Sequence, residues 1–190
     1  ISLVLDEDRQ KLSKRKGATS CHQFKEEGYL PEALKNFIAF LGWSHPEAKE
    51  ILTTDEMIEA FSLDRLNAAG AVFDGVKLKW MNAQHLRALP DKELWALIQP
   101  FLQRANFYLP ENLDWQMRSV SVFKTSMEIL QDAIELYRPL DDKQFKVLPE
   151  ASETLAWEPT RGVLQAWKEL VLGHSADFMT ESEFLKSKEI

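Results

Sequence analysis

The sequence predicts a mainly α-helical fold with one short β stretch at its N-terminus. Three observations carry that expectation. Apolar residues recur at helical spacing from residue 31 onward, capping residues stand ahead of several of those runs, and alternation is confined to Ile1, Leu3 and Leu5 against Ser2 and Val4. After the strand-like start come an acidic turn, Asp6-Glu7-Asp8, and a basic, Gly-containing segment, KLSKRKGATS. Pro31-Glu32 then opens a helix carrying Leu34, Phe37, Ile38 and Leu41, with Gly42 as its stop. Thr53 and Glu56 have capping-box spacing ahead of Met57, Ile58 and Phe61. Asp74 can cap a helix bearing Leu78, Met81 and Leu86. Asp91 starts another, with Leu94, Leu97, Ile98, Phe101 and Leu102, in which Pro100 predicts a kink or break.

Residues 113–137 hold the cleanest period: Trp115, Val120, Phe123, Met127, Leu130, Ile134 and Tyr137 keep close to one face. Thr125 and Glu128 repeat the capping-box spacing, so the segment reads as one helix or two. Residues 139–159 carry three prolines and no clear period, which reads as a linker. Val163, Leu164, Trp167, Leu170 and Val171 return to helical spacing with Gly173 as the stop, and Thr180 with Glu183 begins a last helix bearing Phe184 and Leu185. No repeat at a period of 20 to 50 residues is visible. Both ends read as cut: an apolar run with nothing before it and a helix still running at the last residue.

Composition narrows the class. The 190 residues favour one or two domains, and an apolar fraction of 45% with 11 Phe and 6 Trp is enough for a sizeable core. No run of 18 apolar residues occurs, and the N-terminus lacks the basic and apolar regions of a signal peptide, so no membrane partner is expected. The single cysteine, Cys21, forbids an internal disulfide framework and suits a reducing compartment. A net charge of -7 argues against a protein that coats nucleic acid generally. The four histidines are scattered, and no His/Cys/Asp/Glu spacing suggests a metal site.

The dense feature is the basic segment. Arg9, Lys11, Lys14, Arg15 and Lys16 place five cations within eight residues, with Ser13, Gly17, Thr19 and Ser20 letting the backbone approach a ligand. A loop of this kind after a strand can clasp a triphosphate and neutralise charge that develops during transfer. The alternative is a solvated basic loop. Neither a P-loop pattern nor GxGxxG is present. Cys21 beside His22 has no third group to orient a nucleophile. Trp43, Trp80, Trp115 and Trp167, with His85 and Trp95, are expected as core or interhelix anchors rather than base-stacking platforms, and Phe107-Tyr108 as loop packing.

Lys11-Leu12-Ser13-Lys14-Arg15 resembles the KMSKS signature of class I aminoacyl-tRNA synthetases, in the spelling of the glutamyl branch. The resemblance continues through EEGYLPEALKNFIAFLGWS (Glu26 to Ser44) and FSLDRLNAAGAVFDGVKLKWMN (Phe61 to Asn82), which look like the segments that follow the signature in bacterial-type glutamyl-tRNA synthetases. Residues 88–137 match the helical anticodon-binding bundle of that family in length and pattern. The match is strongest over residues 5–87 and loose after residue 140. It implies a stem-contact helical fold followed by a helical anticodon-binding bundle. The implied divisions are 1–20, the end of the nucleotide-binding domain with its loop; 21–89, the stem-contact fold; 90–145, the anticodon-binding bundle; and 146–190, the start of a second anticodon-binding domain.

The resemblance also implies roles. Lys11 and Lys14 are expected as catalytic contacts to ATP and the adenylation transition state, within an ATP-binding loop of Lys11, Leu12, Ser13, Lys14 and Arg15, with Ser13 placing it. Arg15 stands where the signature often has Ser. Lys77, Lys79 and Arg87, around one helix, are expected at tRNA phosphates, each steepening the salt dependence by roughly one unit of slope. Arg118 falls about where the family reads the anticodon, and an arginine can pair bidentately with a base edge. A solvated helix face and a stabilising surface arginine are the alternatives. The implied substrates are glutamate, ATP with Mg2+, and tRNA(Glu), with tRNA(Gln) left open, in a cytoplasmic monomer. A HIGH-type motif is absent, only Gly173-His174-Ser175 approaching it, so the chain by itself is expected to be inactive. Glutaminyl enzymes carry β-barrel anticodon domains, and the glutamyl-queuosine paralogue lacks an anticodon-binding region, so the helical pattern disfavours both. A non-catalytic helical adaptor, binding RNA or protein through a basic arm, is the alternative from another class.

Overall fold

The computed structural model describes residues 4–5, 9–10, 20–67, 70–141, 143 and 145–173. Two compact units divide it, residues 1–144 and 145–190. The first opens on β1 (Val4–Leu5), followed by α1 (Cys21–Glu27), α2 (Pro31–Phe40) and α3 (Thr54–Ala60). A second strand, β2 (Ala71–Val72), precedes α4 (Gly75–Ala88), α5 (Asp91–Arg104), α6 (Leu113–Phe123) and α7 (Ala133–Tyr137). The second unit holds α8 (Pro149–Leu155) and α9 (Glu158–Gly173). The fold is mainly helical, with a two-stranded parallel sheet pairing Val4 with Ala71 and Leu5 with Val72. The Phe73 amide donates to the Leu5 carbonyl at 2.9 Å, so the sheet runs directly into the start of α4.

The local start signals operate as their chemistry dictates. Thr53 and Glu56 form the reciprocal capping box, and Asp74 accepts from the Lys77 amide at the head of α4. The Glu56 carboxyl is held down at about 2, first by its hydrogen bond to Lys49 and then by the Thr53 amide. Pro31 occupies the first turn of α2, where its missing N–H costs nothing. That helix ends at Phe40, short of Gly42, with Leu41 as its right-handed cap.

Four expectations are revised. Pro100 does not break α5, which runs unbroken from Asp91 to Arg104. The residue forfeits one bond to the Ala96 carbonyl, but Ile98, Phe101 and Leu102 are buried on both sides of it and hold the helix course. Residues 113–137 do divide, yet Thr125 does not cap the second part. It lies in a 3₁₀ turn, Lys124–Ser126, and the orphan amides of Glu128 and Ile129 are taken by Asp132 Oδ2 at 2.8 and 3.0 Å. The expected linker contains α8, which Pro149 initiates with its preset φ. Trp80 and Trp167, expected as anchors, are 41% and 46% exposed, whereas Trp43 is buried and Trp115 packs against the core. The helix expected from Thr180 lies outside the described residues.

Two apolar clusters build the first unit. Phe24, Tyr29, Phe37, Leu78 and Met81 join α1, α2 and α4, with Phe24 edge-on to Tyr29 at 5.2 Å and Phe37 edge-on to Phe73 at 5.3 Å. The larger cluster joins α2 and the end of α4 to α5, α6 and α7. At its centre the fully buried Tyr137 lies 5.0 Å from Phe123 and keeps its hydroxyl 3.0 Å from Ser119 Oγ; burial pushes the phenol up to about 12.

The seam between α1 and the start of the 3₁₀ turn Leu130–Asp132 is tight. Gly28 caps α1 with φ 91, and the Leu130 amide donates to its carbonyl at 3.0 Å. A Cβ at Gly28 would stand 2.7 Å from Leu130 Cβ and 2.8 Å from its nitrogen. Gly28→Ala therefore combines a left-handed backbone with a backbone clash. We expect a loss of about 3 kcal/mol, read as a lower urea midpoint at constant slope. A loss below about 1 kcal/mol would contradict this reading of the seam.

Candidate nucleic-acid interface

The signature residues Lys11, Leu12, Ser13, Lys14 and Arg15 lie outside the described residues. What the structure gives is their frame. Ahead of them β1 is hydrogen-bonded to β2, and Arg9 takes a left-handed φ of 59. Behind them Ser20 caps α1, its hydroxyl accepting from the Gln23 amide at 3.2 Å. A strand fixed in a sheet and a capped helix thus bracket the basic segment.

The other candidates are spread over the first unit. Lys77 and Lys79 are two residues apart on α4, roughly 200° around the helix, so they face different ways. Lys77 is half-buried and pairs with Glu50 at 2.7 Å. Lys79 is exposed and lines a groove of about 500 Å³ together with Glu27, Asp132 and Glu135. The field there is negative: Tyr29, close by, is raised to about 12 by burial first and then by Glu27, Glu128 and Asp132. Arg87 donates through Nη2 to the Thr125 carbonyl at 2.9 Å, bridging α4 to the turn after α6. Arg118 pairs with Asp114 one turn earlier on α6, Nε to Oδ2 at 2.8 Å. The four residues form no single basic patch. The ion pairs of Lys77 and Arg118 are solvent-accessible, a kind worth about 0–1 kcal/mol, so a phosphate can displace either carboxylate.

Polar residues inside the fold were not singled out by sequence, and they position these surfaces. Asn82 is fully buried on α4; its Oδ1 accepts from the Leu30 amide at 2.8 Å and its Nδ2 donates to the Glu128 carbonyl at 2.6 Å. Asn36, fully buried on α2, accepts from the Leu52 amide at 2.9 Å and lies 3.1 Å from His85 Nε2. Burial holds His85 below the usual imidazole range, opposed by Glu32, and because Asn36 Oδ1 can only accept, Nε2–H is the donor in this contact. Lys124 reaches the Leu89 carbonyl and Asp91, tying the end of α6 to the start of α5. The signal for Asn82 was available: it sits four residues after Leu78 on the apolar face of α4, where a polar side chain must find partners.

Among the described residues, no three His, Cys, Asp or Glu side chains converge on a metal position, and no helix is long and apolar enough to cross a membrane. Among the described residues of the first unit, the arrangement offers a helical body on which the candidate cations are dispersed.

Comparison with known proteins places this arrangement. Residues 1–80 match the family model for the catalytic domain of class I tRNA synthetases (E and Q). The glutamate–tRNA ligase of Bdellovibrio bacteriovorus is 60% identical over 189 residues, covering 100% of this chain and 39% of the relative. Glutamate–tRNA ligase 1 of Pseudothermotoga lettingae is 48% identical over 132 residues, 70% of this chain and 28% of the relative. The crystal structure of a glutamate tRNA ligase from Elizabethkingia meningosepticum, in complex with its amino acid, superposes with a TM-score of 0.78 at 27% identity over 100% of this chain and 40% of that one. The chain thus spans about two fifths of the length of the first two full-chain matches, 39% and 40%.

Proposed function

Because the chain belongs to the glutamate–tRNA ligase family, corresponding to 39% of the length of its Bdellovibrio relative, we propose that it supplies the ATP-contacting loop and part of the tRNA-binding surface of such a ligase. The observation that carries the reading is the KLSKR segment, Lys11 to Arg15, inside a region that matches the class I catalytic domain through residue 80. Its bracketing by β1 and α1 supports a loop set on a fixed frame.

The chemistry follows from the residue types. A glutamate carboxylate oxygen attacks the α-phosphorus of ATP; the new acyl–phosphate bond forms as the bond to pyrophosphate breaks. Negative charge builds on the phosphate oxygens and on the departing pyrophosphate. The ammonium groups of Lys11 and Lys14 meet that charge, and a contact of this kind lowers the barrier by roughly 2–4 kcal/mol. Ser13 and the small residues Gly17 and Thr19 let the backbone follow the phosphates. A terminal ribose hydroxyl of the tRNA then attacks the acyl carbon, releasing AMP and forming the ester. On this reading magnesium enters with ATP as part of the substrate.

The stem-contact helices and the bundle take up the tRNA, with Lys77, Lys79, Arg87 and Arg118 as candidate contacts. The divisions 1–20, 21–89, 90–145 and 146–190 are the functional parts of this reading, in a cytoplasmic monomer that acts on tRNA(Glu). The test is glutamylation by the full-length protein carrying this chain. Glutamate-dependent conversion of tRNA to glutamyl-tRNA is the expected result. A folded full-length protein that binds tRNA but consumes no ATP in the presence of glutamate would favour the adaptor instead.

A further inference from the structure

The connection between α5 and α6 is built to display one aromatic ring. Asn106 turns the chain with φ 58, and the Phe107 amide returns to the Leu102 carbonyl at 3.1 Å. Phe107 and Leu109 then pack against the core, which leaves Tyr108 between them pointing outward and 75% exposed. The backbone there is held firmly. Asp141, only 1% exposed, accepts the Tyr108 amide at 2.8 Å and the Lys143 amide at 2.9 Å. Lys143 Nζ stands 3.9 Å from the centre of the Tyr108 ring.

Beside this ring, α5 and the connection enclose a groove of about 420 Å³ with Trp95 and Leu102 among its lining residues. Gln99 and Gln103 line it from α5 one turn apart, and Gln116 lines it from α6 while donating to the Pro110 carbonyl at 3.2 Å. The side-chain carboxamides of Gln99 and Gln103 are exposed and make no hydrogen bond among the described residues, so each keeps a free donor and a free acceptor. No cation lines the groove, and Glu111 does. A phosphate is therefore disfavoured. A flat, neutral, edge-polar group matches: the tyrosine offers a stacking face, the carboxamides offer paired donor and acceptor positions, and the carboxylate can accept from an exocyclic amine.

We propose that this groove receives one unstacked nucleobase of a bound tRNA, stacked on Tyr108 and read at its edge by Gln99 and Gln103. The inference rests on the tRNA-binding reading above and extends it to a groove that no lysine or arginine lines, with Lys143 on one face of the Tyr108 ring and the base stacked on the other. Its signature is an affinity term that salt does not screen, since stacking neutralises no phosphate.

The experiment uses the full-length ligase and its tRNA. Tyr108→Ala is expected to weaken tRNA binding about tenfold, within the range for one stacked base, with the slope of log affinity against log salt unchanged. Tyr108→Phe keeps the stacking face and retains wild-type affinity within about twofold. The double variant Gln99→Ala/Gln103→Ala lowers affinity severalfold and alters the preference among tRNAs substituted at single bases. Ultraviolet crosslinking followed by mass spectrometry places a nucleotide on the peptide containing Tyr108. Because that side chain is exposed, circular dichroism of Tyr108→Ala should match the parent. Wild-type affinity in both the Tyr108→Ala and the double variants, with no crosslink at this peptide, overturns the groove proposal and leaves the tRNA reading standing; a protein or peptide occupant would give that result. Failure of the unmodified ligase to bind tRNA at all removes the broader reading.

Discussion

Asn82→Ala is expected to destabilise the chain by about 4 kcal/mol. The substitution removes a side chain whose two ends serve main-chain groups distant in sequence, the Leu30 amide at 2.8 Å and the Glu128 carbonyl at 2.6 Å. Both partners sit where the N-terminal helices meet the bundle, and Leu30 itself is buried. Water cannot replace a fully buried carboxamide without opening the seam, so each orphaned group costs roughly 1–3 kcal/mol of desolvation. A cavity of side-chain size adds to that. Asn82→Asp is the sharper variant at neutral pH: it keeps an acceptor for the Leu30 amide but sets a carboxylate against the Glu128 carbonyl, burying an unpaired charge. Urea unfolding of the three proteins measures the effect. Losses below about 1 kcal/mol for both variants would show that the seam does not depend on this residue.

The seam explains why some of the molecule was legible in the sequence and some was not. Caps are local, so Thr53 with Glu56 and Asp74 could be read from a few residues, and the structure uses them as read. The apolar faces of α4 and α5 were equally readable, and Leu78, Met81, Leu86, Leu94 and Ile98 are fully buried. The pairing of Val4–Leu5 with Ala71–Val72 was not, because two-residue strands bring partners together across more than sixty residues of chain without a period of their own. Pro100 misled because tertiary packing on both sides outweighs one lost helix bond. Trp80 misled because a large apolar residue is not thereby internal; it lies beside Lys79 on the outward side of α4.

The candidate site divides the same way. The KLSKR order is a short contiguous pattern, and such patterns survive in sequence whatever their surroundings. Lys77, Lys79 and Arg87 looked like one cluster because they are close in number, yet the helix turns Lys77 away and Arg87 is committed to the Thr125 carbonyl. Asp141 carries no local signal. Its role depends on meeting Tyr108, thirty-three residues earlier in the chain.

Lys14→Ala in the full-length ligase is the second large effect. The ammonium of Lys14 is assigned to charge that exists on the phosphate oxygens and pyrophosphate only as the adenylate forms. An interaction made only in that state raises kcat and leaves ground-state binding alone, so its loss lowers kcat and kcat/KM equally. Its removal is expected to slow adenylate formation at least tenfold and toward a hundred- or thousandfold, the range for losing one charge-assisted contact to a developing oxyanion. Folding should be untouched, because the residue lies in the segment between β1 and α1 and belongs to neither. Lys14→Arg keeps the charge but not the compact ammonium, and a partial recovery is the expected result.

The central claim is that this chain brings the ATP-contacting loop to a glutamate ligase. The direct measurement is glutamate-dependent ATP–pyrophosphate exchange by the full-length protein, with and without Lys14→Ala, in the presence of its tRNA. The account predicts exchange that requires glutamate and falls at least tenfold in the variant, while tRNA affinity and thermal stability stay at the parent values. Exchange at the parent rate in Lys14→Ala would contradict it.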